Sequence, residues 1–187
     1  MAALSRLQRA EALLVIIDVQ EKLMPVIHGG EAVVRNLDRL VRGFQLLDIP
    51  TVVTEQYVKG LGATVPELRA TLKETVGYSP IEKLTFSAYG CGEFQAALRL
   101  ARRKQIIVAG IETHVCVYQT VKDLLEADYQ VTLIADALSS RTAENRDLAI
   151  RRMVVDGAKL SSTEMALFEL VVKSATDEFR AIVKLVK

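Results

Sequence analysis

Cysteine is scarce. Two in 187 residues are too few for a disulfide scaffold, so free thiols and a cytoplasmic location are expected. Histidine is equally rare, with only His28 and His114. They lie too far apart in sequence for any standard ligand motif, and no metal is expected. Neither sign of charge dominates: 24 Lys and Arg against 23 Asp and Glu give a formal net charge of +1. That balance lacks the electrostatic footprint of a nucleic-acid or anionic-membrane binder. No apolar run approaches the roughly 18–20 residues that span a bilayer. Residues 1–18, MAALSRLQRAEALLVIID, lack a secretory apolar region followed by a small-residue cleavage site. Repeats, linkers and low-complexity tracts are missing too. What remains is a single domain, residues 1–187, long enough to bury a real core.

What is present alternates strand with helix. Residues 106–137, IIVAGIETHVCVYQTVKDLLEADYQVTLIADA, read as strand, helix, strand. The runs IIVAGI and VTLIADA suit strands buried on both faces. Between them Val117, Val121, Leu124 and Leu125 form one apolar stripe. A helical connection of that length makes the two strands parallel. Elsewhere, Leu13–Asp18 reads as a buried strand, residues 31–47 as a helix, and TVVT after Pro50 as a second strand. A loop, YVKGLGATVPEL, leads to a short helix at residues 66–72, and PIEK is a brief strand. Helices near residues 94–103 and 142–156, a strand at 158–161, and helices from Thr163 and Asp177 complete the chain. This order predicts an α/β fold: a three-layer αβα sandwich around a doubly wound, mostly parallel, Rossmann-like sheet of about six strands. A nucleotide-binding role is disfavoured, because DVQEKLMP after the first strand has no glycines to admit a pyrophosphate.

In such sheets, sites gather at the carboxyl ends of the strands. Three reactive residues fall at those ends: Asp18, Lys83 and Cys116. Each alone is unremarkable as a cap, a solvated charge or an inert thiol. Together they suggest chemistry. Cys116 lies where a helix begins, and the exposed N–H groups and positive dipole there are expected to favour a thiolate. Cys91 reads as a packed loop thiol, His28 as a surface-loop residue, and Gly110 as a site of close backbone packing.

The chain runs D-x-Q (Asp18, Gln20), then K-x-x-F-S-A from Lys83, then G-x-x-T-x-x-C-V from Gly110. This resembles the isochorismatase-like cysteine hydrolases, the superfamily of nicotinamidases and N-carbamoylsarcosine amidohydrolase. EQYVKGLGATVPEL and GIETHVCV look most like the isochorismatase domain-containing branch. The resemblance implies Cys116 as nucleophile, Asp18 as general base and then acid, and Lys83 as the cation beside them. It also implies a cis peptide at Ile111–Glu112. The N–H groups of Glu112 and Cys116 would then face one oxygen as an oxyanion hole, worth about 2.7–4 kcal/mol per donor. The reaction implied is hydrolysis of a small amide or related C–N bond through a thioester. Members that cleave isochorismate lack the cysteine, so its presence argues against that activity.

Nicotinamidases resembled in this way carry a D-x-H metal pattern after the second strand. Here the position reads TEQYVKG without histidine, so no metal or other cofactor is implied. Gln20, Tyr57, Phe86, Tyr89 and His114 are candidates to line a pocket for a small-molecule substrate. Glu112 can pair with a nearby cation, and Arg141 can contact carbonyls near the site. The resemblance implies a homo-oligomer, with the C-terminal MALFELVV and the helix bearing Val117, Tyr118 and Val121 as candidate interfaces. The competing reading is a catalytically silent protein that keeps the fold for binding or assembly.

Overall fold

The computed structural model describes residues 6–187. Of the segment read above for a secretory leader, residues 1–5 lie outside the described residues.

Six strands form one sheet: β1 (Ala12–Ile17), β2 (Thr51–Gln56), β3 (Ile81–Lys83), β4 (Gln105–Gly110), β5 (Gln130–Leu138) and β6 (Lys159–Ser161). Their order is β3-β2-β1-β4-β5-β6, and every neighbouring pair is parallel. The expected "mostly parallel" sheet is parallel throughout its paired strands. Its order reverses between β1 and β4, which opens a crevice at their carboxyl ends.

The layers follow from strand alternation. In β1, Ala12, Leu14 and Ile16 join Leu37, Leu40, Phe44 and Leu167 in one core. Leu13, Val15 and Ile17 face the other way, against Phe94, Val117, Val121 and Leu124. Helices α1 (Gly30–Leu46), α3 (Pro66–Leu72), α7 (Thr163–Val171) and α8 (Asp177–Val186) serve the first core. Helices α4 (Gly92–Ala101), α5 (Tyr118–Glu126) and α6 (Ala143–Val155) serve the second. Burying each large apolar side chain is worth about 1.5–3 kcal/mol. Hydroxyls start the last three helices: Thr142, Ser162 and Thr176 accept from the N–H groups of Asn145, Met165 and Phe179.

One expectation needs correction, and a second needs detail. The loop after β2 contains a one-turn helix, α2 (Val58–Leu61), entered through Tyr57 in the left-handed region at φ 38°. Too few apolar positions mark so short a turn. The candidate interface helices divide: Val117, Val121, Ala166, Leu167, Leu170 and Val171 are buried within the chain, while Met165 and Val172 are exposed and Tyr118 and Phe168 half-buried. A helix stripe records burial, not what covers it.

Candidate active site

Each strand end delivers one group to the crevice. Asp18 follows β1 with φ 54°, a left-handed conformation that Asp tolerates better than most residues. Its carboxylate lies level with the end of β2, where Thr54 Oγ1 donates to Asp18 Oδ1 at 2.7 Å. Lys83 ends β3, two strands from β1 and so about 9.5 Å away. Its long stem crosses the end of β2 and brings Nζ to 2.7 Å from Asp18 Oδ2. Both side chains of this ion pair are fully buried, at 0% exposure. Nζ also donates to Gln56 Oε1 at 2.6 Å, Phe86 O at 3.1 Å and Thr85 O at 3.2 Å. Oxygen surrounds the ammonium, which offsets part of its desolvation.

Cys116 comes from the far side of the crevice. β4 ends at Gly110, whose φ of 118° and close approach to β1 exclude a side chain: a Cβ there would sit 2.2 Å from Ile17 O. The close packing expected of Gly110 is present. The Ile111–Glu112 peptide bond is cis, as the resemblance implies. A π-helical turn, Thr113–Val117, carries the cysteine and runs into α5. Wide turns of this kind recur at functional sites. Among the described residues the Glu112 N–H has no acceptor, and the Cys116 N–H has none outside its own turn.

The thiol departs from expectation. Only 7% of Cys116 is exposed, and burial pushes its pKa up to about 12. The Asp18 carboxylate adds to that rise, by charge and as a hydrogen-bonding group, while the Lys83 ammonium opposes it. The helix-terminus argument favours a thiolate, whereas burial and Asp18 push the other way. Position on a helix does not reveal desolvation.

The candidate pocket residues separate. Tyr57 directly follows β2 and Phe86 lies three residues past β3, and they are 48% and 55% exposed. His114 is half-buried, with Nδ1 2.9 Å from Ser140 Oγ. Gln20 is not a pocket residue. It is fully buried, its Oε1 accepts from the Gln56 N–H at 2.7 Å, and its Nε2 donates to Gln56 O and Gly62 O. Its amide braces β1 to β2. Tyr89 is also misplaced: its ring packs edge-on against Tyr129, 6.5 Å between centroids. Tyr129 precedes β5, at the amino end of the sheet and away from the crevice. Glu112 pairs with Arg141 at 2.9 Å. Cys91 is a half-buried free thiol packed against the second core.

Thr54 and Gln56 were missed. They lie two apart on β2 and therefore share a face, and polar residues ending an apolar strand were the available signal. No group of three or more His, Cys, Asp or Glu among the described residues is placed to hold a metal. Nor is any helix there long and apolar enough to cross a membrane. The arrangement can deprotonate a buried thiol through a fixed carboxylate and hold a cation beside both.

Residues 12–165 match the Isochorismatase domain. The chain is 38% identical to isochorismatase domain-containing protein 2 of Danio rerio over 185 residues, 99% of this chain and 91% of the relative. It is 36% identical to the secreted isochorismatase effector Isc1 of Phytophthora sojae, covering 98% of this chain and 88% of the relative. The solved structure of MAR1 ribonuclease from Caenorhabditis elegans superposes with a TM-score of 0.89 at 36% identity, covering 97% of this chain and 92% of that one. Matched across the strands that carry Asp18, Lys83 and Cys116, this chain belongs to the isochorismatase family.

Proposed function

We propose that this chain is a cysteine-dependent hydrolase of a small amide or related C–N bond. The buried Lys83–Asp18 ion pair beside Cys116 carries the reading. Apolar groups would fill that volume at lower desolvation cost, so the pair suits a reaction better than it suits stability.

Burial and the Asp18 carboxylate both disfavour a preformed thiolate. Asp18 therefore takes its proton as sulfur bonds to the substrate carbonyl carbon. Oxygen becomes an oxyanion facing the N–H groups of Glu112 and Cys116. When the C–N bond breaks, Asp18 returns the proton to nitrogen, and ammonia or an amine leaves a thioester on Cys116. Water then attacks, gives its proton to Asp18, and expels the sulfur, which regains that proton as the carboxylic acid departs. Lys83 stays charged throughout and offsets the negative charge that passes between Asp18, sulfur and oxygen. Tyr57, Leu84 and Phe86, exposed apolar side chains that follow the ends of β2 and β3, are the candidates to meet a small substrate.

The relatives' names leave two further readings to test. MAR1 ribonuclease suggests RNA, which the near-neutral charge does not favour. A silent, assembling protein is the other. Cytoplasmic location, read from two free thiols, belongs to the proposal too, and one relative is named as secreted.

The test is intact-mass analysis of the protein mixed with small amides, ureides and hydroxamates, with released amine measured in parallel. An acyl adduct on Cys116 and amine release that both vanish in Cys116→Ala are expected. Cleavage of RNA that survives Cys116→Ala, or no adduct with any compound, would overturn the hydrolase reading.

A further inference from the structure

The three reactive groups come from distant parts of the chain, and one buried hydroxyl ties two of their supports together. Thr120 is fully buried on α5, one turn beyond Cys116. Its Oγ1 donates to Cys116 O at 2.6 Å and accepts from the Ala88 N–H at 2.8 Å. A single O–H therefore links the nucleophile's turn to the segment that follows Lys83. That segment also holds the lysine, through the carbonyls of Thr85 and Phe86. It is braced internally by Thr85 Oγ1 donating to Ser87 O at 2.8 Å. Ser87 Oγ donates in turn to Asp123 Oδ2, on the same helix as Thr120.

Threonine in a helix often bonds back to the carbonyl four residues earlier, a slightly unfavourable habit. Here the oxygen also accepts from outside the helix, which that habit does not explain. We propose that Thr120 is a positioning residue, holding the Cys116 turn in register with the loop that carries Lys83. It touches no substrate and acts through the two groups it joins. The assignment rests on the hydrolase reading for its effect on turnover, and on geometry alone for its effect on the sulfur.

The sulfur supplies a readout that fold stability does not mimic. Releasing the loop frees two of the four oxygens that hold the Lys83 ammonium, loosening the side chain that favours thiolate, and leaves burial and Asp18 in place. Labelling of Cys116 then slows, whereas mere loosening would expose the thiol and speed it. In a Cys91→Ser background, acrylamide labelling is followed across pH in Thr120→Val, which keeps shape and loses the hydroxyl, and in Thr120→Ser, which keeps the hydroxyl. Ala88→Pro deletes the donor on the other side. Ser87 before it is extended, at φ −67° and ψ 127°, and Ala88 opens a helical turn, so the backbone dihedrals suit proline, while its ring crowds the Thr120 oxygen that the N–H had met. Thr120→Val and Ala88→Pro are expected to label about threefold slower or more at a fixed pH. Their kcat should fall about 10–100-fold with KM little changed, and Thr120→Ser should restore both. Labelling at the parental rate, faster labelling, or failure of both Thr120→Val and Ala88→Pro to fold would overturn the assignment. If the parent releases no amine from any amide while the labelling pattern holds, the hydrolase reading fails and the assignment of Thr120 stands.

Discussion

The Asp18 carboxylate and the Cys116 thiol oppose each other's charge: burial raises the thiol, and Asp18 raises it further. A base that disfavours its own product holds the proton on sulfur until a substrate gives the electrons somewhere to go. Lys83 sits against both and limits the penalty.

The first consequence concerns pH. In Cys91→Ser, iodoacetamide labelling of Cys116 should climb about tenfold per pH unit from about pH 7 to about pH 10, because only the thiolate reacts. A plateau below about pH 8 would contradict the raised thiol. Stability is linked to the same group. A folded-state pKa above the unfolded one gives stability that is complete below about pH 9 and is lost as pH rises towards about 12. Cys116→Ser should remove that alkaline loss, as read by urea denaturation against pH.

Asp18→Asn separates reactivity from turnover. The variant removes a group that raises the thiol and keeps Lys83, which retains its bonds to Gln56, Thr85 and Phe86. Labelling at fixed pH should accelerate, while amine release falls about 10²–10⁴-fold with the loss of the acid–base group. Slower labelling would place Asp18 in some other relation to sulfur.

Lys83→Met leaves the Asp18 charge buried with only the Thr54 hydroxyl and the Cys116 thiol beside it among the described side chains. Loss of about 3–5 kcal/mol is expected, measured by chemical denaturation. Adding Asp18→Asn should recover part of that loss, since neither charge is then stranded. Additive losses would show that the two side chains are not coupled.

Gly110→Ala should fail more severely than its chemistry suggests. The new methyl meets backbone, the Ile17 carbonyl at 2.2 Å, and cannot be relieved by a rotamer change. A fall of more than about 3 kcal/mol is expected, from thermal or urea melts. A near-normal melt would place β1 and β4 farther apart than described.

The sheet was legible because buried parallel strands announce themselves as continuous apolar runs, such as LLVII in β1 and IIVAG in β4. Lys83 needed more than a strand end. Its meaning depends on a side chain reaching across a neighbouring strand, which only the sheet order makes possible. Gln20 and Tyr89 were misjudged for the same reason. Both follow a strand, but one turns inward to the Gln56 backbone and the other to Tyr129. Sequence places a residue near an end and leaves its side chain free to point anywhere. The thiol failed differently: dipole and cation are visible in sequence, whereas desolvation is a property of the whole assembled crevice.

β3 is an edge strand of three residues, yet it brings Lys83 to Asp18. Short borders of sheets fray before their centres do. Turnover should therefore vanish during gentle heating or at low denaturant while the central strands are still zipped, making catalysis a sensitive reporter of that margin.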